Sequence, residues 1–286
     1  MLANTLTPGS FLRSLVVVVA LLVVMSALGL AIGSGLALLG VVLWALTLGL
    51  IAAGVFAAVR GRTLAGIGAI VTAISVPLAY QYELPAALWT VLFFVGIALI
   101  VRGTAADTAN RTAWPILLPR IAVGWALIDN SQDHFRTNWL PALQGTGYVQ
   151  TATGAANRPP AYALDSLYQS FLKGVVVPNV DVFAGLTICG EMVCGVLLAV
   201  GLMTPIASLG AMWLHLNYMN MKSFTNHGGY VDKVFFLSEL FNLATNSGQV
   251  YGLDATLSRV VPLPIGQALM GLPTGEDVPT LRARPA

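Results

Sequence analysis

Charge is what this sequence most lacks. Only 9% of its 286 residues are Asp, Glu, Lys or Arg, against about a quarter in a soluble domain. That is too little polarity to cover a water-facing surface, and 57% of the chain is hydrophobic, with a mean hydropathy of +0.80. A net charge of +2 gives a nucleic-acid partner no electrostatic basis. Cysteine is nearly absent: Cys189 and Cys194 are the whole complement. So small a set excludes a disulfide scaffold and a cysteine-bound iron–sulfur cluster, and five helical residues apart the two thiols face different ways. There is no Cys-x-x-Cys-His haem site and no dinucleotide loop, so no bound metal or haem is expected. His134, His215 and His227 share no helical ligand spacing, which argues against a metal centre.

What the chain has in abundance is unbroken apolar sequence. A spanning helix needs roughly 20 apolar residues, and candidates lie at about 12–32, 35–59, 64–80, 86–101, 115–131, 181–202, 205–221 and 230–247. The expected fold is all-α: a polytopic membrane protein of about eight transmembrane helices. The first run is too long for a signal-peptide core and reads as an uncleaved span. Gly33-Ser34-Gly35, Arg60-Gly61-Arg62 and the Tyr80–Glu83 segment before Pro85 mark turns, and Thr204-Pro205 reads as a cap and first helical position. Basic residues set the orientation. Arg13, Arg60, Arg62, Arg102, Arg111, Arg259, Arg282 and Arg284 would face the cytoplasm with both termini, in a bacterial plasma membrane.

The halves differ in kind. Residues 1–112 form an N-terminal four-helix region with no charge deep in a span, rich in the Gly and Ala of close helix packing. Residues 113–258 hold four further spans and the outer loop 132–180, and 259–286 form a cytoplasmic tail. In the loop, Gly145–Pro160 reads as irregular. In 162–175, Leu164, Leu167, Tyr168, Phe171, Leu172 and Val175 keep helical spacing opposite Asp165, Ser166, Gln169, Ser170 and Lys173, as in a short helix lying in the membrane interface.

Ionisable residues gather in the second half. At about 1.5 Å rise per residue, Glu191, His215 and Glu239 reach a common level near the midplane on three successive spans. A lone charge there is costly, so the three are expected to face the bundle interior. A second layer lies nearer the outer surface: Asp129, Asp133, His134 and Arg136 after the fifth span, Asn217 and Asn220 on the seventh, and His227, Asp232 and Lys233 at the mouth of the eighth. Such a ladder suits proton transfer, and equally a quinone head group with Trp125, Trp139, Trp213, Tyr218 and Phe235 as flat neighbours. Polar residues also join membrane helices without further role, and Arg120 near the inner face reads as a snorkelling side chain.

Several of these segments resemble the DoxX/DoxD family, which includes the DoxD-type subunit of thiosulfate:quinone oxidoreductases. They are Leu118-Pro119-Arg120 with Gly124-Trp125, the run Gly190-Glu191-Met192-Val193-Cys194-Gly195-Val196-Leu197-Leu198, Gly201-Leu202-Met203-Thr204, and Tyr251-Gly252-Leu253-Asp254. The resemblance covers about 114–257; Pro205 stands where the family has a basic residue, and the first four spans fall outside its four-helix unit. It implies a four-helix bundle linked to quinone or thiol/sulfur redox chemistry. The expected protein is a membrane subunit of a quinone-linked oxidoreductase, of which the thiosulfate:quinone type is one form. Glu191, His215 and Glu239 would exchange protons with quinone. The outer layer, with Trp139 and Tyr218, would bind it, and Arg136 or Lys233 would hold an anionic sulfur substrate. Its partners would be the bilayer, quinone and other subunits of a complex. Two alternatives stand beside this: a non-catalytic anchoring subunit of an electron-transfer or pigment complex, and a small-solute or proton transporter.

Overall fold

The computed structural model describes residues 8–80, 86–108, 114–137, 139–222, 229–259 and 261–272; His227, Glu83, Arg111, Arg282 and Arg284 lie outside the described residues. No strand occurs among them. Eight long helices stand where the apolar runs place them: α1 (Pro8–Ile32), α2 (Gly35–Val59), α3 (Thr63–Ala79), α4 (Ala86–Thr104) and α5 (Leu117–Arg136), then, beyond two helices of the loop, α8 (Val180–Val200), α9 (Thr204–Met221) and α10 (Tyr230–Ala244). The loop holds α6 (Gly147–Asn157) and α7 (Ala163–Phe171), and α11 (Leu253–Leu257) and α12 (Leu263–Met270) close the described chain. Among the described residues, four segments are long and apolar enough to cross a membrane: Gly9–Ile32, Gly35–Val59, Ala87–Thr104 and Leu164–Val200. The chain is an all-helical integral membrane protein. The end of the bundle that carries α6 and α7 is its loop end, and the end that carries α11 and α12 is its tail end.

Glycine sets the closest helix crossings. A Cβ on Gly124 would lie 2.7 Å from the Gly195 carbonyl oxygen, so α5 and α8 touch backbone to backbone there. Gly35 with Gly185, Gly54 with Gly66, and Gly68 with Gly96 do the same for α2–α8, α2–α3 and α3–α4. With no water to drive association inside lipid, this close packing supplies the attraction. Asp181, at the start of α8, adds a polar tie: its carboxylate accepts from Gly35 N at 2.7 Å and Ala142 N at 3.0 Å, placing an anion at the N-terminus of α2. The first helix lies against α8, α9 and α12, and its Ser14 hydroxyl donates to the Ala268 carbonyl at 2.8 Å.

At the tail end the short motifs meet. Arg120 does not snorkel: it has no exposed surface, and Nη1 donates to the Ser247 and Val250 carbonyls at 2.7 and 3.1 Å, Nη2 to Tyr251 at 3.4 Å. Burial this deep is possible because the turn between α10 and α11 aims its free carbonyls at one point. Asp254 accepts from Met203 N and Thr204 N at 2.8 and 3.0 Å and so caps α9 from another segment. The cap expected of Thr204 therefore sits one residue earlier, at Met203 (φ 51°), and uses a distant carboxylate. Burial pushes that carboxyl up to about 6. Gly201 at φ 65° turns the chain out of α8 and leaves room for the guanidinium, which a Cβ would meet at 2.5 Å. Asp107, following α4, ties in Arg62, Arg259 and Thr256.

The loop departs from expectation in one stretch and follows it in another. Gly147–Asn157 is helical rather than irregular, because its small residues Ala152, Ala155 and Ala156 and its Tyr148 bury one face against the bundle. Leu164–Val200 is a run of 37 residues, roughly 55 Å long and far beyond the roughly 30 Å hydrocarbon thickness. A π turn at Leu172–Val176 and a 3-10 turn through Pro178 divide it into α7 and α8. On α7 the apolar side faces out: Leu164 and Leu167 are 71% and 70% exposed while Asp165 is buried. That inversion fits a helix pressing its apolar face into the membrane interface.

Arg158 holds this helix. Its guanidinium grips both oxygens of Asp165, and Nη2 also donates to the Asn220 carbonyl at the end of α9 at 2.8 Å. The Gln169 amide reaches the Arg158 carbonyl at 2.9 Å. The Arg158 hydrogen bonds hold the Asp165 carboxyl below its ordinary range. A released loop takes up the proton more readily, so docking is strongest above the usual carboxylate pKa of about 4 and weakens as pH falls through the depressed value. A spin label at Ser166 is expected to gain mobility only at strongly acid pH, and in Arg158→Gln to be mobile already at neutral pH. Equal mobility in both proteins at neutral pH would contradict this account of the loop.

Candidate functional site

The site is built where α5, α8 and α9 converge near the loop end. Glu191 of α8 has no exposed surface. One carboxylate oxygen accepts from the Tyr218 hydroxyl of α9 at 2.6 Å and from the Asn130 amide of α5; the other lies 2.9 Å from His134 Nδ1. The His134 ring stacks on Trp139 at 3.6 Å between centroids, which fixes its plane. A buried carboxylate with three hydrogen-bonding neighbours has the partners such a charge requires, and an imidazole and a phenol beside it give a proton somewhere to go. Beside this cluster, Ser131 donates to the Ile188 carbonyl at 2.9 Å and meets the hydroxyl of Tyr80, the residue after α3, at 2.7 Å.

Tyr218 joins this cluster to a second. Its ring lies edge-on to His215 at 6.0 Å, and His215 Nδ1 is 3.7 Å from Asp232 at the start of α10. That distance is an ion-pair approach rather than a hydrogen bond, and neither ring nitrogen of His215 has a well-formed hydrogen-bond partner among the described residues. Asp232 is held instead by Lys222 at 2.8 Å. Phe235 packs on His215 with centroids 5.3 Å apart.

Beside the clusters, a cavity of about 570 Å³ lies between α1, α7, α8 and α9 and opens to the flank of the bundle, where Val23 and Trp213 are exposed. Val18, Phe183 and Trp213 supply apolar walls; Asn217 and Tyr218 bring polarity from α9, and Cys189 and Cys194 border it from α8. Its size lies within the roughly 300–1,000 Å³ of small-molecule sites. Because Tyr218 both lines the cavity and bonds Glu191, the cavity and the acid cluster share a wall.

The expected residues fall into groups. His134, Trp139, Glu191 and Tyr218 come together, and His215 and Asp232 lie next to them. Glu239 shares the helix face of Asp232 but is not bonded to Glu191 or His215. Asn217 lies at the cavity wall, its amide donating to the Trp213 carbonyl at 2.8 Å. Asp129 and Asp133 are exposed on the outer face of α5, and Arg136 turns to the Ala79 carbonyl at 3.1 Å. Lys233 is half-buried on α10. Trp125 is remote from the cluster, stacked on Trp89 at 5.0 Å. Asn130, Ser131 and Tyr80 are site residues that sequence reasoning missed. For Asn130 a signal existed: it stands four residues before His134, on one helix face.

A helical membrane protein with a buried acid–imidazole–phenol cluster beside an intramembrane cavity is the class these features define. Residues 116–221, a little over a third of the chain, match the family model described as DoxX, and the match takes in Asn130, His134, Glu191, His215 and Tyr218. No curated protein and no solved structure matches the chain.

Proposed function

We propose that this protein is a quinone-binding membrane subunit of an oxidoreductase, with the cavity between α1, α8 and α9 as the quinone site. One observation supports this best: a ligand-sized, mainly apolar cavity opening on the flank of the bundle shares Tyr218 with the buried Glu191–His134 pair. Quinone reduction consumes two electrons and two protons. The Glu191 carboxyl, relayed by the Tyr218 hydroxyl and recharged through His134 from the loop end, is the proton supply. Electrons come from outside the bundle, in the thiosulfate form from two thiosulfates joining as tetrathionate. Asn217 and Trp213 orient the ring, and the flanking apolar surface of α1 takes the isoprenoid tail. In this reading, which the basic-residue pattern favours, the loop end faces out of a bacterial plasma membrane and partner subunits deliver electrons there.

Glu191→Gln keeps the shape and removes the proton. In proteoliposomes containing the full chain, its partner fraction and a short-chain quinone, this variant is expected to lower reductant-driven quinol formation by roughly 100-fold or more. Binding of quinone, read by quenching of tryptophan fluorescence, is expected to persist. Unchanged turnover in a folded Glu191→Gln protein would remove the proposal. Quinone binding without turnover in either protein would favour the anchoring role.

A further inference from the structure

The seam between α9 and α10 holds buried polar atoms that the Glu191 cluster does not use. Ser208, Glu239 and Asn242 have no exposed surface. Both Glu239 oxygens, Ser208 Oγ and both Asn242 side-chain heteroatoms lack a hydrogen-bond partner among the described residues. Ser208 and Asn242 come close enough to the Glu239 carboxyl to act on it as hydrogen-bonding groups without forming a well-aligned bond, and Cys194 of α8, which also feels Glu191, is an ionisable neighbour. Toward the loop end, the two ring nitrogens of His215 are also unbonded, with Asp232 and Lys222 beyond. Toward the tail end, Ser247 Oγ and Asn246 Oδ1 are buried without hydrogen-bond partners among the described residues, and Thr204 Oγ1 approaches the Asp254 carboxylate.

These atoms form a file. At helical spacing Thr204, Ser208 and His215 share one face of α9, and Asp232, Glu239 and Asn242 share one face of α10, with Asn246 in the turn just past its end. The three α10 members span roughly 15 Å of axis, about half of a hydrocarbon core about 30 Å thick, and Asn246 continues the file beyond the helix. Buried polar groups left unpaired in lipid are strongly disfavoured, and a polar space among them is filled by water. Between Ser208 and His215 the same face carries only Ala211, which is small and buried. Packing alone does not call for an acid, an imidazole and two amides here, since apolar residues fill such a seam better.

We propose that the α9–α10 seam is a hydrated proton path across the bundle, with Glu239 as the carboxyl that accepts and releases the proton midway. A proton enters by Asp232 and His215, protonates Glu239, and leaves past Asn246, Thr204 and Asp254, or runs in reverse. No electron moves, and each proton entering is matched by one leaving. The path is independent of the quinone reading, because it needs neither the cavity nor a reductant.

The test uses vesicles reconstituted with the full chain and a trapped pH dye, without quinone or reductant. Under an inside-negative potassium diffusion potential set with valinomycin, the vesicles are expected to acidify faster than protein-free ones. Glu239→Gln is expected to slow protein-dependent acidification by about 100-fold, with partial recovery in Glu239→Asp. Should Glu239→Gln fail to fold, dicyclohexylcarbodiimide supplies a second measurement on the native chain. It attacks protonated carboxyls in apolar surroundings, so it is expected to label Glu239, as located by mass spectrometry, and to stop the flux. Acidification no faster than in protein-free vesicles, an undiminished rate in folded Glu239→Gln, or full flux after labelling would each overturn the proposal. None of these results bears on quinone reduction by the Glu191 cluster.

Discussion

Arg120→Leu is expected to cost about 3–5 kcal/mol, the usual penalty for removing one partner from a buried charged network. That is a large part of a stability of roughly 5–15 kcal/mol. The guanidinium is the donor for three carbonyls, those of Ser247, Val250 and Tyr251, and leucine offers none of them a hydrogen bond. It also removes the positive charge acting on Asp254, the residue that caps α9. The loss therefore spreads from one side chain to the connection between α8 and α9 and the turn after α10. Arg120→Lys restores the charge but has one ammonium where three acceptors are arranged around a planar fork, so it is expected to recover only part of the stability. Thermal unfolding of the detergent-solubilised protein, followed by circular dichroism, checks both variants. A melting temperature for Arg120→Leu within a degree or so of the parent would show that the buried guanidinium is not a structural centre.

The helices were legible because apolar runs have a length scale, and lipid rewards nothing else so strongly. Helix rotation was not legible, and rotation decides which polar groups meet. His134 illustrates the difference. With the fifth span read as ending near residue 131, His134 belonged to an outer layer, apart from Glu191. The helix runs on to Arg136, because its polar residues find partners on neighbouring helices: Ser131 at the Ile188 carbonyl, Gln132 at the Ala79 carbonyl. Those extra residues carry His134 into the bundle and against Glu191. Rise along the axis gave Glu191, His215 and Glu239 a common depth, but depth alone does not join them. Tyr218 joins the first two, and Glu239 belongs to a separate seam. Arg120 shows the opposite error, where a long basic side chain near a span end is read as reaching for water. Only tertiary structure reveals that the nearest acceptors are three main-chain carbonyls. The resemblance motifs have a similar explanation. Pro119-Arg120, Gly201–Thr204 and Tyr251–Asp254 are one corner of the fold, whereas Glu191 within the Gly190–Leu198 run belongs to the site.

Gly195→Leu is expected to disrupt both the fold and the proton cluster, because the α5–α8 crossing sets the reach of the site. A Cβ on Gly195 would lie 2.7 Å from the Gly124 carbonyl oxygen and 2.8 Å from Ile128, and backbone atoms cannot turn aside as side chains do. Inserting even one methyl there is expected to cost about 1–3 kcal/mol, and a leucine more. The strain is relieved by moving α5 away from α8. Asn130 and His134 stand on α5, with Glu191 on α8 one turn from Gly195, so the same movement lengthens the bonds to the carboxylate. Gly195→Ala therefore separates two effects that Gly195→Leu merges: a lower melting temperature from overpacking, and a wider His134–Glu191 distance from the displaced helix. The second is readable without turnover, from the imidazole ¹⁵N shifts of His134, whose Nδ1 loses its carboxylate partner. Gly124→Ala places its methyl at the same crossing and is expected to reproduce both changes. The double variant should show less than the sum of the single losses, because the first methyl has already opened the contact. If Gly195→Ala and Gly124→Ala leave the melting temperature and the His134 signals untouched, the crossing does not position the acid cluster.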